Sequence, residues 1–177
     1  MKPPAELTDG VVVLRELREG DRAAVLSTMR DPLVARWLNM PRTPGDRDFD
    51  SLLRQAHDGR DLGTRFDFTV TEADADVSLG AVVVSRRHRE NFEVAYLAGA
   101  AGRGRGLMTR AVALACTWLF REGVGRIELR THPDNVPSQR LAERCGFTRE
   151  GRERQSIWLH GRRVDAILWS LLPSDPR

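Results

Sequence analysis

A glycine- and arginine-rich segment, residues 99–106, is the part of the sequence best suited to chemistry. It reads GAAGRGRG and joins a strand-like alternation of apolar residues to a stretch with the apolar stripe of a helix. Glycines let the backbone approach a ligand closely, and the N–H groups at a helix N-terminus attract anions. Arg103 and Arg105 add positive charge beside them. The segment therefore predicts a cradle for a phosphate or pyrophosphate.

Two other glycine-rich phosphate motifs do not fit this segment. The GxxxxGK[ST] motif needs a lysine, and Lys2 is the only lysine in the chain. The dinucleotide motif GxGxxG needs a third glycine where this sequence has Thr109, and it belongs in a parallel strand–helix–strand unit. A glycine-rich turn without a ligand is the alternative, but the coincidence of glycines, arginines and a helix start favours the cradle.

The rest of the sequence supplies the elements that must position this segment. Alternating or β-branched apolar residues predict strands at 11–17, 66–70, 79–84, 92–97 and 126–131, and a final hairpin over 157–172 that turns at His160-Gly161. Apolar periodicity and capping residues predict helices over 21–29, 32–38, 49–57 and 107–121, and a last helix that begins at Asp134 or Asn135. We expect a mixed α/β (α+β) domain in which three consecutive strands form an antiparallel meander.

Composition limits the class of protein. The chain has 177 residues, 41% of them hydrophobic and 30% charged, which predicts one globular domain over residues 1–177. The sequence lacks an apolar run long enough to span a bilayer, an apolar leader segment, a disulfide framework and metal-ligand spacing, so we expect a reduced, cytoplasmic protein without a membrane or metal partner. The net charge of +3 is the sum of an acidic first half and an arginine-rich second half. An ordinary solvent-exposed surface is the alternative interpretation of these arginines.

An ordered series of motifs resembles the GCN5-related N-acetyltransferases over residues 7–172. Arg103-x-x-Gly106-x-Met108 resembles the family's acetyl-CoA signature, Q/R-x-x-G-x-G/A. Met108 departs from it at the last position, as in the branch that acetylates the N-termini of ribosomal proteins. The segments 14–17, 92–97, 135–138, 143–147 and 150–151 resemble further motifs of that branch.

The resemblance implies a mostly antiparallel central sheet, flanked by helices, that splays between its fourth and fifth strands. Acetyl-CoA is expected to insert its pantetheine arm there, with the pyrophosphate on the glycine-rich loop. The cofactor-binding residues that the resemblance implies are Leu97, Ala98, Gly99, Arg103, Gly104, Arg105, Gly106, Leu107, Met108, Thr109, Asn135 and Ser138.

The resemblance also implies direct attack of an amine on the thioester, with two catalytic candidates. Glu93 corresponds to a catalytic glutamate of related enzymes, although an outward-facing strand charge is the alternative interpretation. Ser138 is the candidate acid, or hydrogen-bond donor to the thiolate, unless it is an ordinary serine at a helix start. The position at which many relatives carry a tyrosine acid is Ala142, and the only tyrosine, Tyr96, is interpreted as a packing residue. Glu153 lies near the position of another base in the branch.

The function that this resemblance implies is transfer of an acetyl group to a primary amine, with a protein N-terminus as the favoured acceptor. A small-molecule amine or antibiotic acetyltransferase, a non-catalytic acyl-CoA sensor and a basic RNA-contacting protein are the alternatives, although direct nucleic-acid binding is not expected. A homodimer is compatible with the resemblance. Trp37 is predicted to line the acceptor pocket, and His132 either contacts the substrate or caps a loop.

Overall fold

The strands form one eight-stranded sheet in the computed structural model, which describes residues 1, 3–88 and 90–176. They are β1 (Glu6–Thr8), β2 (Val12–Glu16), β3 (Arg65–Glu72), β4 (Ala75–His88), β5 (Asn91–Ala98), β6 (Arg126–Thr131), β7 (Thr148–Leu159) and β8 (Arg162–Leu171). The order across the sheet is β1-β2-β3-β4-β5-β6-β8-β7. Only the β5–β6 pair is parallel, so the predicted mixed, mostly antiparallel sheet is confirmed.

Helices cover both faces of the sheet. They are α1 (Arg22–Met29), α2 (Pro32–Trp37), α3 (Asp46–Asp61), α4 (Leu107–Arg121) and α5 (Val136–Arg144), with short 3-10 turns at Glu19–Asp21 and Ala100–Gly102. Within the described ranges, no helix is long and apolar enough to cross a membrane.

The main differences from the predicted elements lie at the two ends of the sheet. The short strand β1 was not predicted, so the strands predicted as fourth and fifth are β5 and β6. Strand β7 begins at Thr148, well before the predicted start at 157. The prediction missed the first half of this strand because that segment is polar and exposed, without apolar alternation. The predicted turn is confirmed, since His160 and Gly161 both have positive φ angles, 50° and 75°.

The main core lies between the sheet and α4. The predicted apolar stripe of α4 is confirmed, with Leu107, Ala111 and Trp118 buried. The Trp118 ring receives the rings of Phe66 and Phe68 edge-on, at centroid distances of 5.3 and 5.6 Å. This packing holds the C-terminal half of α4 against β3.

A second, smaller core on the opposite face joins α1 and α3, where Leu26 packs with Phe49. Asp21 stands at the N-cap position of α1, but its side chain accepts hydrogen bonds from the buried Arg15 guanidinium, at 2.8 and 2.9 Å, and from the Arg18 N–H, and none from the N–H groups of the helix. Burial opposes ionisation of Asp21, but these bonds outweigh it and lower its pKa. The Asp21 carboxylate therefore forms a buried ion pair with Arg15, which stabilises the fold.

The pairing of β5 with β6 ends early, and this opens the sheet. The parallel register covers Asn91–Arg126, Phe92–Ile127 and Glu93–Glu128 only. Strand β5 then runs on to Ala98 and β6 to Thr131, without further pairing between them in the described structure. The predicted splay is therefore present, and it lies where the glycine-rich loop begins.

Candidate functional site

A cleft of about 640 Å³ opens at the gap between β5 and β6. Its walls are the diverging ends of the two strands, the loop before α4, the first turns of α4 and α5, and the helix α2. Of the predicted cofactor-binding residues, nine line it: Leu97, Ala98, Arg103, Gly104, Gly106, Met108, Thr109, Asn135 and Ser138. Gly99, Arg105 and Leu107 do not line it, and the Leu107 side chain is buried in the main core.

The start of α4 presents backbone N–H groups to this cleft. Gly104 and Gly106 have φ angles of +71° and +75°, which side-chain-bearing residues rarely adopt, so glycine is needed for the turn into the helix. Gly106 provides no side-chain cap, and the Arg110 N–H donates to the Gly106 carbonyl at 3.2 Å. The N–H groups of the first turn therefore have no partner within the helix and are suited to bind an anion.

The two arginines of the loop are engaged within the protein. Arg103 donates to the Ala98 carbonyl at 3.1 Å and to the Asp31 carboxylate at 2.6 Å, which ties the loop to the start of α2. Asp31 also accepts from the Leu33 N–H, and these bonds lower its pKa. Arg105 is paired with Glu72, and the pair is partly exposed. The ion pairs of these two arginines therefore hold the loop in place, in addition to any attraction that their charge exerts on a ligand.

Arg140 and Arg144 are cleft residues that the sequence analysis did not single out. They lie one turn apart on α5, and both line the cleft with exposed side chains. Neither has an ion-pair partner within residues 1, 3–88 and 90–176. Their spacing of four residues on a predicted helix was the available signal.

The N-terminus of α5 places Asn135 and Ser138 at the cleft. The Asn135 side chain accepts from the Ser138 N–H at 3.3 Å, so Asn135 is the cap, and Pro137 stands in the first turn. The Tyr96 hydroxyl lies 2.7 Å from Ser138 Oγ. Tyr96 packs against the main core as predicted, but it also lines the cleft and bonds to a candidate catalytic residue.

A second cavity of about 480 Å³ is lined by Glu93, which points away from the buried Phe92 and Val94 to the other face of β5. The cavity is lined by Arg87, Glu93, Arg130, Glu153, Ser156, Ile157 and Trp158. Arg130 lines the larger cleft as well, so one residue contributes to both cavities at the gap.

The carboxylates in the second cavity share the same arginines. Arg130 donates to Glu153 at 2.8 and 3.0 Å, and this bidentate pair lowers the pKa of Glu153. Arg130 lies 3.4 Å from Glu93, which is also paired with Arg87. The Glu93 side chain is only 17% exposed. It is therefore a partly buried member of an ion-pair cluster as well as a residue of the second cavity.

The rings of Trp37 and His132 are in contact at the cleft, with their planes tilted by 43°. Their ring centroids are 5.1 Å apart, and both rings line the larger cleft. His132 Nδ1 accepts from the Asp134 N–H at 3.1 Å, as in the loop-capping interpretation, and its position also leaves it facing the cleft.

Comparison with known proteins gives consistent results. Residues 12–148 match the family model of the acetyltransferase (GNAT) domain. The uncharacterized N-acetyltransferase p20 of Bacillus licheniformis is 24% identical over 91% of this chain and 92% of its own length. The ribosomal protein uS5-alanine N-acetyltransferase of Escherichia coli is 29% identical over 64% of this chain and 60% of its own length. The structure of Mycobacterium smegmatis RimJ in complex with CoA-disulfide has a TM-score of 0.80, with 22% identity, over 97% of this chain and 86% of that one.

The features of the larger cleft fit acetyl-CoA. The first-turn N–H groups of α4 suit phosphate oxygens, as do Arg140 and Arg144, which have no ion pair among the described residues. The open edges of β5 and β6 suit the amides of a pantetheine arm. Because the family model covers most of the chain and the cleft fits the family's acetyl donor, the chain belongs to the GCN5-related N-acetyltransferases and is an N-acetyltransferase that uses acetyl-CoA.

Proposed function

We propose that this enzyme acetylates the N-terminal α-amino group of a protein of the ribosomal-protein class. The observation that carries the proposal is the meeting of two cavities at the β5–β6 gap, with Arg130 lining both. The larger cavity takes acetyl-CoA and the smaller one takes the amine. Trp158 at the smaller cavity is 56% exposed, which leaves an apolar surface on which the first residues of a polypeptide can rest. The similarity to the uS5-alanine enzyme supports this acceptor class.

Different residues along the cleft bind different parts of acetyl-CoA. Acetyl-CoA supplies an acetyl group activated as a thioester. The N–H groups of residues 104–109 bind the pyrophosphate, and the open backbone of Leu97 and Ala98 binds the pantetheine arm. Gly99, Arg105 and Leu107 hold this loop from behind, and Arg140 and Arg144 add positive charge for the phosphates.

Ser138 and Glu93 are the two residues to which we assign chemistry. An α-amino group has a pKa near ~8, so it must lose a proton before it can attack. The Glu93 carboxylate accepts that proton, directly or through a water molecule. Ser138 donates a hydrogen bond to the sulfur that leaves, from the opposite side of the gap.

The contacts of Arg130 with the two carboxylates favour Glu93 over Glu153 as the base. The bidentate bond from Arg130 lowers the pKa of Glu153 and occupies both of its oxygens. Glu93 receives a single, longer contact of 3.4 Å from the same arginine, and its other oxygen is paired with Arg87, which is more exposed than Arg130. Glu93 also lies at the last paired position before the strands separate, so it is the carboxylate on β5 nearest in sequence to the gap.

Thiol release from acetyl-CoA with two acceptor pools tests the proposed acceptor. One pool holds peptides with free N-termini, including ribosomal-protein sequences, and the same peptides with blocked N-termini are the control. The other pool holds polyamines, aminoglycosides and amino acids. We expect turnover with the free peptides alone. Turnover confined to the small amines would contradict the protein acceptor and favour a small-molecule enzyme.

Glu93→Gln tests the base. We expect kcat to fall at least tenfold, with little change in the affinity for acetyl-CoA, because the amide cannot accept the proton. Glu128→Gln is the matched control, since Glu128 is the strand neighbour of Glu93 and also pairs with Arg130, but does not line the cavity. Equal turnover in the Glu93 variant and the wild type would remove Glu93 from the mechanism.

Arg140→Gln and Arg144→Gln test the phosphate contacts. Each change is expected to weaken acetyl-CoA binding by about fivefold, roughly 1 kcal/mol for a solvent-exposed charge, as measured by isothermal titration. Arg149→Gln removes an exposed arginine outside the cleft and is expected to leave binding unchanged. Unaltered affinity in both α5 variants would show that backbone groups alone hold the phosphates.

A further inference from the structure

A side-chain hydrogen bond joins β5 to α5 across the cleft, beside the candidate catalytic residue Ser138. The Tyr96 hydroxyl on β5 lies 2.7 Å from Ser138 Oγ and 3.4 Å from the Ser138 carbonyl oxygen on α5. Tyr96 stands beyond Glu93, the last residue of β5 that pairs with β6. The bond therefore joins β5 to α5 across the open part of the sheet, where β5 still pairs with β4 but no longer with β6.

The direction of this bond determines what the Ser138 hydroxyl can do. A serine hydroxyl has one hydrogen to donate and two lone pairs to accept. When Tyr96 donates to Oγ, one lone pair is used and the hydrogen of Ser138 stays free. No acceptor for that hydrogen is present in the described part of the chain, where Ser138 otherwise bonds only through its own backbone groups.

We propose that Tyr96 is a positioning residue, whose hydroxyl fixes Ser138 so that the serine hydrogen points into the cleft toward the sulfur of the acyl donor. This inference rests on the proposed role of Ser138 as hydrogen-bond donor to the leaving sulfur. Without the tyrosine hydroxyl, nothing in the described structure fixes the rotation of the Ser138 hydroxyl, and the donor is no longer preorganised.

The surroundings of Tyr96 keep its hydroxyl protonated, so that it can donate. Burial raises the pKa of its hydroxyl to about 12, against a lowering effect of the Ser138 bond, and the nearby Cys145 raises it as well. The Cys145 thiol also has a pKa raised by burial, to about 12, so both groups stay protonated near neutral pH. The other ionisable side chains that line the cleft are Arg103, Arg130, His132, Arg140 and Arg144.

A double-mutant cycle with Tyr96→Phe and Ser138→Ala tests the inference. Phenylalanine keeps the ring that packs on the core and removes only the hydroxyl. We expect Tyr96→Phe to lower kcat by about three- to tenfold, the effect of one hydrogen bond, with KM for acetyl-CoA nearly unchanged. In the Ser138→Ala background the same change is expected to have no further effect, because its influence passes through the serine.

Titration of the thiol of bound CoA gives a readout independent of turnover. A hydroxyl hydrogen directed at the sulfur stabilises the thiolate and lowers the thiol pKa. We expect Tyr96→Phe and Ser138→Ala to raise the pKa of the bound thiol by similar amounts, followed by the ultraviolet absorbance of the thiolate. Thr117→Val, which removes a half-buried hydroxyl bond on α4 outside the cleft, is expected to leave the thiol pKa and kcat unchanged.

The possible results separate this inference from the proposed function. Impairment by Ser138→Ala together with an unaltered Tyr96→Phe enzyme would overturn the positioning role and leave the role of Ser138 intact. Equal losses from Tyr96→Phe in both backgrounds would also overturn it, because the tyrosine would then act independently of the serine. A Ser138→Ala enzyme with unaltered turnover would overturn both the positioning role of Tyr96 and the role of Ser138 as hydrogen-bond donor.

Discussion

The early end of the β5–β6 pairing is the constraint on which the site depends. After Glu93 and Glu128, the facing edges of the two strands no longer complete each other's hydrogen bonds. Buried backbone N–H and C=O groups require partners, so an open edge inside a sheet is favourable only where a polar ligand or solvent can reach it. The gap thus provides binding groups from the backbone itself, and the starts of α4 and α5 lie beside it.

The pleat of the strands then divides the site between the two faces of the sheet. Successive side chains of a strand point to opposite faces. On β5, Val94 and Tyr96 face the cleft and the main core, whereas Glu93 faces the second cavity. Arg130 on β6 lines both cavities, and its guanidinium holds the carboxylates of the second one in a fixed arrangement. The donor and the acceptor can therefore approach the gap from separate sides.

Sequence patterns predicted the features that depend on nearby residues. The meander, the α4 stripe, the Asn135 cap and the His160-Gly161 turn all follow from local periodicity or backbone preference. Features that depend on partners distant in the chain were not predictable in this way. Tyr96 and Ser138 are 42 residues apart, and Arg103 is 72 residues from Asp31. A charge or hydroxyl selects its partner only after the elements pack, so local patterns alone do not specify these bonds.

The central claim is that donor and acceptor meet through the β5–β6 gap from opposite faces of the sheet. A crystal structure with a bisubstrate analogue, in which CoA is joined through an acetyl bridge to the α-nitrogen of a short peptide, tests it most directly. We expect the pantetheine arm to lie between β5 and β6, the bridge to lie beside Ser138, and the peptide to leave past Glu93 and Trp158. Density that places the peptide and the CoA moiety on the same face, with the second cavity empty, would contradict it.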